Sequence, residues 1–363
     1  LGRTLAENWY LIALLAAVAG VALLLILYLV KYLRLAVNLF LDTPLPVTAN
    51  LQDYTPPDGE IVTFPSLEGR RLRGMFIERP PGAPDRGTIV FCHEYGSDML
   101  SAGRYASGLT RAGYTVFTFD FRGHGGSFAP SHFEPRHWPS NYEVHDILAA
   151  VAYVKSQRNL EDAGLGVLGI SRGASAAVIA AALNTDIRCL IVDGAFSTDR
   201  SIDGLVKRWI QIFARINLAR ADRTMTVNRF FRALVMFYVE LKCRCRFPST
   251  RRALAKLESV PVLFIHGERD AYVPLEQAQA LFDDKPGPKD IWVCPGAKHN
   301  QAVAADPETY HRRVRAFFDR HLAPAGETQD ARPAPGRAGP SDRRHHADRA
   351  DVPSADAAGG AVS

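Results

Sequence analysis

The stretch Gly169-Ile170-Ser171-Arg172-Gly173 constrains this chain more than any other. Before it runs Leu165-Gly166-Val167-Leu168, short, apolar and strand-like. After it, Ala174 to Leu183 is built almost wholly from Ala, Val and Ile, with no Gly or Pro, as in a buried helix. A serine between such a strand and such a helix is forced into sparsely populated backbone angles, and flanking glycines remove the side chains that would clash there. The turn lifts the hydroxyl clear of the sheet and aims the first free N–H groups of the helix at whatever the serine attacks. The plainer alternative is an ordinary strand-to-helix turn with a capping serine.

The rest of the chain alternates in the same way. Two strands, Ile61 to Phe64 and Leu72 to Ile77, flank a hairpin turn at Glu68-Gly69. Strands are then expected at Thr88 to Phe91, Val116 to Phe119, Leu165 to Leu168, Cys189 to Val192, Val262 to Ile265 and Asp290 to Val293. Helices are expected near residues 101–111, 142–157, 275–282 and 307–321. Repeated strand-helix units predict an α/β fold with a mostly parallel central sheet and helices on both faces. Active sites of such sheets lie beyond the carboxyl ends of the strands.

A serine hydroxyl needs an imidazole to take its proton, and the imidazole needs a carboxylate to fix its tautomer. His299 and Asp270 each follow a strand by a few residues, and the order Ser171, Asp270, His299 suits this architecture. Asp193 is the second candidate for the acid and Glu268 the third. His93, His124 and His266 also end strands and read as structural. His311 and His321 fall in the last helix and His345 and His346 in the tail, where a base is not expected. For the oxyanion, backbone N–H donors are expected from Arg172, after the serine, and from Tyr95 in the loop after the first parallel strand.

Four segments together resemble the α/β-hydrolase fold enzymes, in particular the lysophospholipase, monoacylglycerol-lipase and serine-aminopeptidase-like branch. They are Phe91 to Gly96, Phe119 to Gly125, Gly169 to Gly173, and Phe264 to Asp270 with the later His299. The resemblance spans roughly residues 61 to 322. It implies that Ser171, Asp270 and His299 form a catalytic triad and that Asp120 and Arg122 brace the loop after their strand. It also implies a cap over the pocket. The family usually has His-Gly at the oxyanion loop, whereas this chain has His93-Glu94, a side chain that would crowd the hole or move the donor.

From Trp9 to Val30 no residue is charged, and about 22 residues make a helix of about 33 Å, enough to cross a bilayer core. Trp9, Tyr10, Tyr28 and Tyr32 lie near its ends, where aromatic rings favour the interface. An N-terminal transmembrane helix is therefore expected within an anchor of residues 1–40. A cleaved signal peptide is the rival, since Ala17-Val18-Ala19 resembles a cleavage site, but the apolar run continues too far. Arg3 and the amino terminus balance Lys31 and Arg34, so orientation is left open. The sequence opens with Leu1, which leaves its true start open. A proline-bearing spacer is expected over 41–59, and residues 60–322 form the hydrolase domain.

Between Asp193 and Val262 the alternation breaks. Residues 197–258 read as a helical cap insert with fourteen Lys and Arg against five Asp and Glu, a net of +9, suited to anionic headgroups or simply to water. Residues 323–363 carry almost no large apolar side chain and are expected to be disordered. The whole-chain charge of +5 is too small to imply nucleic acid. Five cysteines make a disulfide framework improbable; Cys92, Cys189 and Cys294 read as core, and the Cys243 and Cys245 pair has no partners for zinc. No metal or organic cofactor is implied. The expected function is a membrane-anchored serine hydrolase acting on carboxylic esters, lipid esters included. A peptidase or amidase of the same fold and a non-catalytic membrane-tethered binding module are the alternatives.

Overall fold

The computed structural model describes residues 8–42, 55–158, 164–203 and 224–322, with side chains in the last segment from residue 229 onward. The tail, most of the spacer and residues 204–223 of the cap, with the aromatic side chains Trp209 and Phe213, lie outside the described residues.

The strands are β1 (Glu60–Pro65), β2 (Arg71–Ile77), β3 (Thr88–Cys92), β4 (Thr115–Phe119), β5 (Leu165–Ile170), β6 (Ile187–Asp193), β7 (Val262–Gly267) and β8 (Lys289–Cys294). They form one sheet in the order β1-β2-β4-β3-β5-β6-β7-β8. The β1-β2 and β2-β4 pairs are antiparallel, and every later pair is parallel. The hairpin turns through Gly69 at φ 72°. The central strands are buried along their whole length, as strands covered on both faces must be. In β3, Val90 and Cys92 enter one apolar core while Ile89 and Phe91 enter the other, the two-residue period of a strand.

The helices used below are α1 (Trp9–Asp42), α2 (Asn141–Gln157), α3 (Arg172–Ala181), α4 (Thr224–Cys243), α5 (Leu275–Asp284) and α6 (Pro307–His321). Helix α2 begins at a capping box: the Ser140 hydroxyl accepts from the Tyr142 N–H while the Glu143 carboxylate accepts from the Ser140 N–H. Val144, Ile147, Val151 and Val154, spaced by three and four, then carry its buried face. Every residue of α3 is buried. With α5, these helices cover one face of the sheet, and α6 covers the other through Tyr310, Val314, Phe317 and Phe318. Helix α4 belongs to the insert between β6 and β7.

Helix α1 departs from expectation at its end. It continues to Asp42, so the first residues assigned to the spacer are helical. Leu33, Ala36, Val37, Phe40 and Leu41 recur at helical spacing and form a stripe. Ala36, Val37, Phe40 and Leu41 are buried in a third apolar cluster with Trp138, Phe196, Val235, Val239 and Phe247. By contrast Trp9 to Val30 is exposed throughout, and its mean hydropathy reaches 2.8. By length and composition this is the one helix among the described residues that could cross a membrane.

Candidate active site

Strand β5 delivers Ser171 at φ 52° and ψ −114°, a left-handed conformation that costs a non-glycine residue about 1–3 kcal/mol. The neighbouring glycines are required by contact. A Cβ on Gly169 would stand 2.6 Å from the Ala174 Cα, and one on Gly173 would strike the carbonyl oxygens of Cys92 and His93. The Ser171 N–H donates to the Asp193 carbonyl at 2.7 Å, which ties the turn to the end of β6.

The Ser171 hydroxyl is 2.9 Å from His299 Nε2. His299 Nδ1 is 2.6 Å from Asp270 Oδ2. The other carboxylate oxygen, Oδ1, accepts from the Tyr272 and Val273 N–H groups at 2.9 and 2.8 Å. Asp270 is thereby an acceptor on both oxygens, which calls for the Nδ1–H tautomer of His299 and leaves Nε2 free to accept from the serine. The Tyr272 ring meets the imidazole edge-on at 4.9 Å. Asn300, next in the chain, holds φ 56°, and the Tyr105 hydroxyl donates to its carbonyl.

The structure thus brings Ser171, His299 and Asp270 into one hydrogen-bonded line and leaves the other candidates outside it. Asp193 is 1% exposed, and its Oδ2 meets no hydrogen-bond donor within reach; Tyr310 is its neighbour. Burial, with the charges of Glu94 and Asp270 adding, pushes its carboxyl up to about 7. Glu268 accepts from the Gly296 N–H and braces the histidine loop from outside.

The remaining histidines at strand ends are held by backbone. His93 accepts from the Phe121 N–H and donates to the Glu94 carbonyl, and burial keeps its ring neutral. His124 donates to the Arg122 carbonyl and accepts from the Arg172 guanidinium; burial and that cation hold it down at about 3. His266 donates to the Val273 carbonyl. Asp120 accepts from the Met99 and Gly126 N–H groups, both at 2.8 Å, and so spans two loops. Arg122 is buried against Asp146 at 2.6 Å and reaches Glu68 at 3.0 Å.

The backbone N–H groups of Tyr95 and Arg172 have no backbone acceptor among the described residues, and that of Arg172 is at the first turn of α3, where none exists within the helix. Glu94 does not project into this region. Its carboxyl is buried behind the loop, where the Ser101 and Tyr105 hydroxyls reach it at 3.4 Å. The Tyr95 ring lies over the Arg172 guanidinium.

Sequence reasoning passed over the wall between the site and α1. Arg172 donates to the Arg136 carbonyl at 3.0 Å, and Arg136 donates to the Leu41 carbonyl at 2.6 Å. The Trp138 indole N–H donates to the Phe40 carbonyl at 3.0 Å, and the Phe40 and Trp138 rings stack at 4.9 Å. His137 joins Trp138 to Tyr272, which touches His299. The pair of adjacent aromatic side chains in a proline-flanked loop, His137-Trp138, was the available signal.

A family model described as the alpha/beta hydrolase family matches residues 89–313. Among curated proteins, the Bacillus subtilis protein YqkD is 26% identical over 265 residues, covering 70% of this chain and 78% of its own length. The Salmonella typhi protein YfhR is 24% identical over 278 residues, 73% of this chain and 82% of its own. Among solved structures, the Pyrococcus furiosus esterase Pf2001 superposes with a TM-score of 0.53 at 22% identity, over 76% of this chain and all of that one. DcsB, in complex with its substrate analogue, gives 0.55 at 17% identity over 73% of this chain. Likenesses at this identity establish a shared fold.

Proposed function

Because the chain belongs to the alpha/beta hydrolase family, we propose that it is a membrane-anchored serine hydrolase that cleaves carboxylic esters, lipid esters among them, through Ser171, His299 and Asp270. One observation carries this reading: the strained serine and the two groups behind it are in hydrogen-bonded line, with Asp270 saturated by donors. His299 takes the Ser171 proton as the hydroxyl attacks the ester carbonyl, and Asp270 stabilises the imidazolium that forms. The oxyanion is met by the N–H of Arg172 and by that of Tyr95. His299 then gives its proton to the leaving alcohol, leaving an acyl-enzyme. Water, activated by the same imidazole, releases the acid. The exposed apolar length of α1 supports the anchor, since about 22 apolar residues left in water would be strongly disfavoured.

The experiment combines p-nitrophenyl esters of graded chain length with a fluorophosphonate label, on wild type and Ser171→Ala. Wild type is expected to turn over and label. The variant is expected to lose labelling completely and turnover by on the order of 10⁴-fold or more. Turnover that survives in Ser171→Ala would remove the serine from the mechanism. The preferred chain length then reports whether a lipid acyl group fits.

A further inference from the structure

We propose that cap helix α4 lies in the headgroup layer of the bilayer that holds α1, with its outward apolar face in the lipid and its cations on anionic headgroups. The proposal rests on the reading of α1 as a membrane anchor, and it goes beyond that reading by placing the cap.

The first argument is the outward face of α4. Phe230, Phe237 and Leu241 are 67%, 64% and 67% exposed, and Tyr238 is 47% exposed. Offsets of seven, eight and eleven residues keep them within roughly 100° of helical arc. Among the described residues this face is left open, while Val235 and Val239 on the other side are buried in one cluster with α1 and Phe247. A row of exposed aromatic and leucine side chains on a helix already anchored by its opposite face marks an interaction surface.

The second argument is distance. Helix α1 is exposed to Val30, carries Lys31 and Arg34 at the end of its apolar run, and has its first buried residues at Ala36 and Val37. Six residues of helix advance only about 9 Å. The polar layer of a bilayer is roughly 5–7 Å deep on each side. The first buried turn of α1 therefore sits at the outer edge of the headgroup layer, and the helix packed on α1 there, α4, borders that layer. With no slack in the joint, the outward face of α4 cannot be far from lipid.

The third argument is charge. Arg229, Lys242 and Arg244 are exposed at the two ends of the row, within an insert of net charge +9. Long cationic side chains can lay their stems on apolar surface and lift their heads into a phosphate layer. An amphipathic helix with this composition partitions into an anionic interface, each cation near the surface contributing about 1 kcal/mol.

The test uses the full chain in bilayers, with Cys243 replaced by Ser and an environment-sensitive fluorophore on one introduced cysteine. Three positions are compared: Leu24→Cys in α1, Phe237→Cys on α4, and Leu183→Cys, an exposed position at the end of α3 remote from α1. Bilayers of phosphatidylcholine, with or without phosphatidylglycerol, carry brominated acyl chains as quencher. The fluorophores at 24 and 237 are expected to shift to the blue and lose most of their emission, while that at 183 stays in water. Phosphatidylglycerol is expected to deepen quenching at 237, and the double variant Arg229→Glu, Lys242→Glu to abolish that increment without changing position 24. Quenching at 24 with none at 237 overturns the placement of the cap and leaves the anchor standing. Absence of quenching at 24 overturns the anchor, and the cap proposal with it. Quenching at 183 equal to that at 237, or no response to phosphatidylglycerol, overturns the specific face or the anionic partner respectively.

Discussion

Asp193 ends β6 and Asp270 lies just beyond the neighbouring β7; they bear the same side chain, yet their surroundings differ sharply. Asp270 receives two backbone N–H groups and an imidazole. Asp270→Asn is therefore expected to keep the fold, judged by circular dichroism, and to lower kcat on the order of 10⁴-fold, because an amide facing Nδ1 turns the imidazole to the wrong tautomer. Asp193 is buried without a donor to its Oδ2, and its carboxyl is raised to about 7. An acid whose folded pKa is raised holds its proton in the native state while the unfolded chain has released it, so stability falls as pH rises from about 4 to 7. Asp193→Asn is expected to stabilise the protein by about 2–4 kcal/mol at pH 8 and by almost nothing at pH 4. Denaturant unfolding at the two values measures this; an equal gain at both would mean that ionisation is not the cause. In the sequence both aspartates fall between Ser171 and His299 and at or beyond a strand end, so chain order alone does not separate them. The donors that separate them, the Tyr272 and Val273 N–H groups, depend on a turn that no periodicity announces. Glu94 makes the same point, since its departure from the family pattern was visible while its burial behind Ser101 and Tyr105 was not.

Among elements, the sheet and its helices were legible because their signals are repetitive: short Val- and Ile-rich runs, then three-and-four spacing. The strand-serine-helix turn was legible for a different reason, since its glycines are dictated by contacts with Cys92, His93 and Ala174 that any such turn would make. The end of α1 was also written in the chain, at Leu33, Ala36, Val37, Phe40 and Leu41, but the prolines beyond drew the boundary too early. What the stripe packs against depends on the loop holding Arg136 and Trp138, which has no pattern of its own. If that contact is specific, Phe40 and Trp138 are energetically coupled. A double-mutant cycle of Phe40→Ala and Trp138→Ala in the full chain is expected to return about 0.5–1.5 kcal/mol of interaction. A value near zero would make the stacking incidental. Each single variant is also expected to slow ester turnover more than it raises KM, since Arg136 and His137 reach Arg172 and Tyr272 from the same loop.

The whole molecule combines a buried two-sided sheet, a reactive end where β5, β7 and β8 deliver their loops, and an apolar helix whose last turns belong to the fold. With α1 as the proposed membrane anchor, that last feature would change how the protein meets its substrates. A helix joined to its domain by a floppy thread would let the domain swing freely and sample the solution above it. A helix whose end is stacked on Trp138 and bonded by Arg136 transmits its own tilt to the domain. Held in a bilayer by the proposed anchor, such a catalyst would search a plane at fixed height and attitude, so its encounters would be counted per unit of area. Mixing inert lipid into the membrane would then starve it, even with the total amount of substrate in the tube unchanged.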